Sequence, residues 1–104
     1  MAAPAGAEVP LAAVLDSIES VDEDLVLFTR GAGPVTRETP VLLLEDEGDA
    51  PPGARYFLEV SVVNDVLCVW SRWRQGARPT AEDKCAAVLH YATHDAYLPV
   101  TPVA

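Results

Sequence analysis

The sequence predicts an α+β domain with element order α-β-β-β-α-α, in which a three-stranded, mainly antiparallel sheet is packed by helices. Three observations predict it. An apolar stripe at helical spacing lies near the start, three short apolar runs bounded by turn formers follow, and two further helical stripes come after them. Strands grouped together and helices grouped after them indicate segregated layers rather than alternating βαβ units. With 104 residues, half of them apolar, the chain has material for one core and no room for two.

Residues 1–9 lack periodicity and read as a loose tail, leaving 10–104 as the single folded domain. Pro10 suits the first turn of a helix, where a missing N–H is harmless. Leu11, Val14, Leu15 and Ile18 then repeat at i, i+3, i+4 and i+7, predicting a helix over 10–20. Leu25–Phe28, Val41–Leu44 and Tyr56–Val60 are strand-length runs. The segments between them hold Gly31, Gly33, Pro34 and Pro40, and then Glu45–Asp49 with Pro51, Pro52 and Gly53. Both are too long for tight hairpins. The first two runs do not alternate, so part of the sheet should be covered on both faces.

From Ser61, read as an N-cap, the period becomes helical. Val62, Val63, Val66, Leu67, Val69, Trp70 and Trp73 form one arc, so both tryptophans are expected in the core, and Gly76 supplies the stop. Thr80 and Asp83 have capping-box spacing and open a last helix with core face Ala81, Cys85, Val88, Leu89 and Ala92, ending near His94. The Asp95–Pro99 segment should fold back on the core, or serve as a recognition edge with Tyr97 as anchor.

Catalytic and cofactor signatures fail one by one. His90 and His94 share a helix face, but Tyr91 stands where the zinc-protease pattern needs Glu, and both rings should face solvent. Cys85 lies on the buried stripe and Cys68 on the polar arc, with no histidine placed as a base. The glycines of Arg30–Pro34 mark a turn rather than a phosphate loop, and Glu45-Asp46-Glu47-Gly48-Asp49 lacks calcium-loop spacing. No cofactor and no metal are expected. Neither a membrane span nor a leader sequence is visible, and with two cysteines the expected compartment is the cytoplasm.

Charge is the positive signal. Residues 1–50 carry eleven acids and two bases, a net charge of −9, while the acids and bases of 51–104 cancel. Direct nucleic-acid binding is disfavoured, because phosphate neutralisation needs a basic face. A basic protein surface would be attracted. The candidate contact residues are the acidic runs Asp22, Glu23, Asp24 and Glu45, Asp46, Glu47, Asp49, together with Tyr97.

The cadence Tyr56-Phe57-Leu58-Glu59-Val60, Trp70, Trp73, Pro79-Thr80, Lys84, Ala87-Val88, Tyr91-Ala92 and Asp95-Ala96-Tyr97-Leu98-Pro99 spans residues 55–99. It resembles a family of small bacterial proteins of unknown function, some of them similar to immunity proteins encoded beside polymorphic toxins. The resemblance implies a non-catalytic antitoxin-like protein that neutralises a toxin by tight binding, with no catalytic residues to carry over. The acidic half would occlude a basic site on that partner. The alternative expectation is a small ligand-binding regulator or enzyme, with a pocket between sheet and helices lined by groups such as Tyr56, Glu59 or Arg72. Monomer and homodimer both remain open.

Overall fold

The computed structural model describes residues 8–30, 33–45, 48 and 50–100. Its elements are β1 (Glu8–Pro10), α1 (Leu11–Asp16), a 3-10 turn (Ile18–Ser20), β2 (Val26–Arg30), β3 (Pro40–Leu44), β4 (Ala54–Glu59), α2 (Val60–Trp73) and α3 (Ala81–His94). The fold is α+β. Its antiparallel sheet has four strands in the order β1-β3-β2-β4, one more than the sequence predicts.

The additional strand is β1, which pairs Glu8 with Leu42 and Pro10 with Pro40. Three residues are too few to show a period, and proline is tolerated at a sheet edge. Pro10 thus ends a strand and caps α1 from outside, instead of occupying the first helical turn. The helix is shorter than the predicted 10–20: α1 ends at Asp16 and Ile18 falls in the 3-10 turn, yet the stripe Leu11, Val14, Leu15 and Ile18 is buried throughout. Its first N–H groups find partners in the β2–β3 loop, where Leu11 donates to the Thr39 carbonyl (2.9 Å) and Ala12 to that of Arg37 (2.8 Å).

Part of the sheet is covered on both faces, as the unbroken apolar runs predict. Leu27, Val41, Leu43 and Leu58 point into the main core with the helices. Phe28, Leu42 and Leu44 form a second cluster on the other face, against Val26, Ala50 and Ala54. Chain chirality explains the second cover. β1 and β2 run parallel with β3 between them, and β3 and β4 run parallel with β2 between them. Both connections move the same way across the sheet but join strands of opposite direction, so crossovers of one hand must lie on opposite faces. Accordingly α1 packs on the main core, and the β3–β4 connection brings Ala50 onto Phe28, Leu42 and Leu44.

A bulge on β4 sets the side-chain directions near the helices. Leu58 stays opposite Leu27, but Tyr56 comes opposite Phe28, leaving Phe57 as the extra residue. Tyr56 then meets Phe28 edge to face, with ring centroids 6.3 Å apart.

Helix α2 begins at Val60 with Glu59 in the N-cap position, not at Ser61. It buries Val60, Val63, Val66 and Trp70. Trp73 departs from the expected core and is 50% exposed. After Trp73 the chain turns through left-handed Gln75 and Gly76, and the Gly76 N–H closes on the Ser71 carbonyl. Helix α3 has the reciprocal capping box: Asp83 N–H donates to Thr80 Oγ1 (3.1 Å) and Thr80 N–H to Asp83 Oδ2 (2.9 Å). Its buried centre is Cys85, Ala87 and Val88, while Ala81 and Ala92 are exposed. The error in the expected face arises because alanine surrounds this helix and leaves its period weak.

Candidate functional site

Strand direction gathers residues that lie far apart in the chain. Val26, at the start of β2, pairs with Leu44 at the end of β3 and with Glu59 at the end of β4. One end of the sheet therefore carries Asp22, Glu23 and Asp24, from the turn before β2, beside Glu45 and Glu59. All five are exposed. Asp46, Glu47 and Asp49 lie outside the described residues.

The turn that presents these acids is held by its own chemistry. Asp22 Oδ1 accepts the Asp24 N–H at 2.9 Å, and the Leu25 N–H donates to the Asp22 carbonyl at 3.1 Å. Aspartate favours such a local bond because its short carboxylate reaches the backbone two residues on. The Val60 N–H donates to the Leu25 carbonyl (3.0 Å), and Asn64 Nδ2 donates to Glu23 Oε1 (3.0 Å). These bonds fix the turn against the first turn of α2. The positive end of that helix dipole partly offsets the carboxylates around it. Between them lies a shallow cleft of about 300 Å³ lined by Glu23, Asp24, Leu25, Val26, Glu59 and Ser61.

No arginine or lysine pairs with these acids among the described residues. The ion pairs are elsewhere: Arg30 Nε to Glu8 Oε1 at 3.0 Å, and Arg37 to Glu82 at 3.9 Å. Exposed carboxylates within about one Debye length of one another, roughly 8–10 Å, reinforce a common negative field.

Tyr97 does not join this site. It folds back onto the far end of α2, edge to face with Trp73 at 5.9 Å, and 5.5 Å from the Tyr91 ring. Arg74 anchors the same segment. Its guanidinium stacks 4.5 Å over Trp70 and donates to the carbonyls of Trp70 (3.1 Å), Leu98 (3.4 Å) and Pro99 (3.3 Å).

Tyr56, Glu59 and Arg72 do not converge on one pocket. Tyr56 borders a cleft of about 350 Å³ between the sheet and α3, with Thr29, Val35, Arg55, Leu89 and Thr93. Glu59 lines the acidic cleft, and Arg72 lines a groove beside Trp73. The sheet–α3 cleft contains a guanidinium and hydroxyls, but no carboxylate, imidazole or thiol to move a proton. His90 and His94 lie ring to ring at 4.4 Å, and no three metal-ligating side chains come together among the described residues. Cys68 is exposed and Cys85 is buried; burial, more than any neighbouring charge, pushes the Cys85 thiol up and holds it protonated.

Glu59 is the acidic-site residue that sequence reading placed elsewhere. Only the antiparallel register shows that a strand-end glutamate belongs with Asp24 and Glu45. No helix of the described residues is long and apolar enough to cross a membrane. Compared with protein-family models, curated proteins and solved structures, the chain matches none of them.

Proposed function

We propose that this chain is a non-catalytic protein-binding domain that docks the acidic end of its sheet on a basic surface of another protein. On this reading it acts in the bacterial cytoplasm as an immunity-like or antitoxin-like protein, occluding the basic site of a toxin. The observation that carries the reading is the gathering of Asp22, Glu23, Asp24, Glu45 and Glu59 at one sheet end, where none of them is in an ion pair among the described residues. Grouping acids at one place raises their mutual repulsion, which solubility alone does not require. Here the bases sit elsewhere, and the acids are left to meet an external one.

Co-expression with the product of the adjacent gene tests this. The neighbour should be toxic alone, tolerated with this chain, and recovered with it in a stoichiometric complex. A harmless neighbour, together with no basic protein captured from the native host, contradicts the proposal.

A second reading rests on Arg55. Its side chain faces the sheet–α3 cleft and makes no ion pair among the described residues, an arrangement suited to a small anionic ligand. A panel of small carboxylates and phosphates should then raise the melting temperature of the wild type and not of Arg55→Ala. No shift with any of them removes this reading.

A further inference from the structure

Helix α2 carries a stripe that the other described residues leave largely exposed. Asp65, Val69 and Arg72 stand at i, i+4 and i+7, so they follow one another along one face, with Trp73 beside Arg72. Asp65 and Arg72 are exposed and Val69 is half-buried. Val69, Arg72, Trp73 and Tyr97 line a groove of about 380 Å³. Of the large apolar side chains that the described residues expose, Trp73 and Tyr97 lie here, and Val100 directly follows the carbonyls held by Arg74.

Two features show what the stripe is shaped to meet. Asp65 and Arg72 do not neutralise one another, being about 10 Å apart along the axis. The Arg72 guanidinium makes no ion pair among the described residues. The order of charges is also symmetric: an anion one turn before Val69, a cation one turn after it, and an apolar residue between.

We propose that this stripe is a two-fold interface between two copies of the chain. Laid antiparallel about an axis at Val69, each helix sets its Asp65 opposite Arg72 of the second copy, so one operation forms two ion pairs. Such self-complementarity is what an isologous contact requires. A parallel pairing would set Arg72 against Arg72 and repel. Trp73 and Tyr97 flank the axis and supply the apolar area, and the Arg74 clamp on residues 98 and 99 fixes the groove wall beforehand. The antiparallel arrangement also sends the two acidic sheet ends to opposite ends of the pair, which limits the repulsion between two chains of net charge −9. The inference does not rest on the function of the acidic end.

The test is the solution mass of the full chain by sedimentation and light scattering across concentration. A concentration-dependent rise from 11.1 kDa toward twice that value is expected. Arg72→Glu and Asp65→Arg should each weaken the pair about a hundredfold, because every reversal acts twice and creates like-charge contacts. The double variant Asp65→Arg/Arg72→Asp should restore it, and Trp73→Ala should weaken it about tenfold. These positions are exposed, and circular dichroism confirms that each variant is folded. A monomer at every concentration overturns the proposal. So does a dimer indifferent to Arg72→Glu, a double variant that fails to recover, or a different protein that claims the groove while the chain alone stays monomeric.

Discussion

The two ends of the sheet are built from the same strands and treat charge in opposite ways. At the end where β2 finishes, Arg30 reaches back to Glu8 at 3.0 Å, and Arg55 opens β4 nearby. At the end where β2 begins, Asp22, Glu23, Asp24, Glu45 and Glu59 collect without an ion pair among the described residues. At the first end Arg30 is matched within the chain by Glu8, a half-exposed pair that contributes little to stability. The second end stores them. A polypeptide that needed acids only for solubility would have no reason to group them, since grouping raises their mutual repulsion.

The comparison breaks most visibly under charge reversal. Asp24→Lys/Glu45→Lys/Glu59→Lys should slow association with a basic partner about a hundredfold at low salt, read by stopped-flow kinetics, while dissociation changes much less. Arg30→Glu, which disturbs the opposite end, should leave that rate within about twofold.

Salt sharpens the contrast, because it acts with opposite sign on complex and fold. Raising ionic strength should weaken the complex by screening attraction. It should raise the melting temperature of the free domain by screening repulsion among the stored acids. In the triple variant the rise should shrink.

Asp22→Ala removes the acceptor for the Asp24 N–H at the acidic end. It should lower stability by about 1 kcal/mol in urea unfolding, with a smaller effect on association than the triple reversal. Arg30→Ala at the other end should cost about 0.5 kcal/mol or less by the same measurement.

The smallest effect concerns pH and serves as a baseline for both ends. Burial, more than any neighbouring charge, raises the Cys85 thiol above its ordinary range in the folded protein. Folded protein therefore holds this proton longer than unfolded chain, and stability should fall as pH rises through the unfolded value. Cys85→Ala should abolish that loss in a melting series above pH 8, and Cys68→Ala should not.

Local features of this fold were legible in the sequence, and those created by register were not. The buried stripe Leu11-Val14-Leu15-Ile18, which runs through α1 into the 3-10 turn, the Thr80–Asp83 box and the end of α3 at His94 all follow from local spacing. Strand β1 escaped because three residues carry no period, and Trp73 because a wheel cannot say which side of an arc a neighbour covers. Of the candidate contacts, Asp22, Glu23, Asp24 and Glu45 do come together and Tyr97 does not. Glu59 entered through the pairing of Val26 with both Leu44 and Glu59. The pairing of Val26 with Glu59 joins positions more than thirty residues apart, which no local pattern can express.

The most direct test is the association rate of the captured partner with wild type and with Asp24→Lys/Glu45→Lys/Glu59→Lys, measured across salt concentration. A steep salt dependence in the wild type that flattens or reverses in the variant is the predicted result. Equal rates and equal salt slopes for the two proteins would show that the acidic end takes no part in recognition.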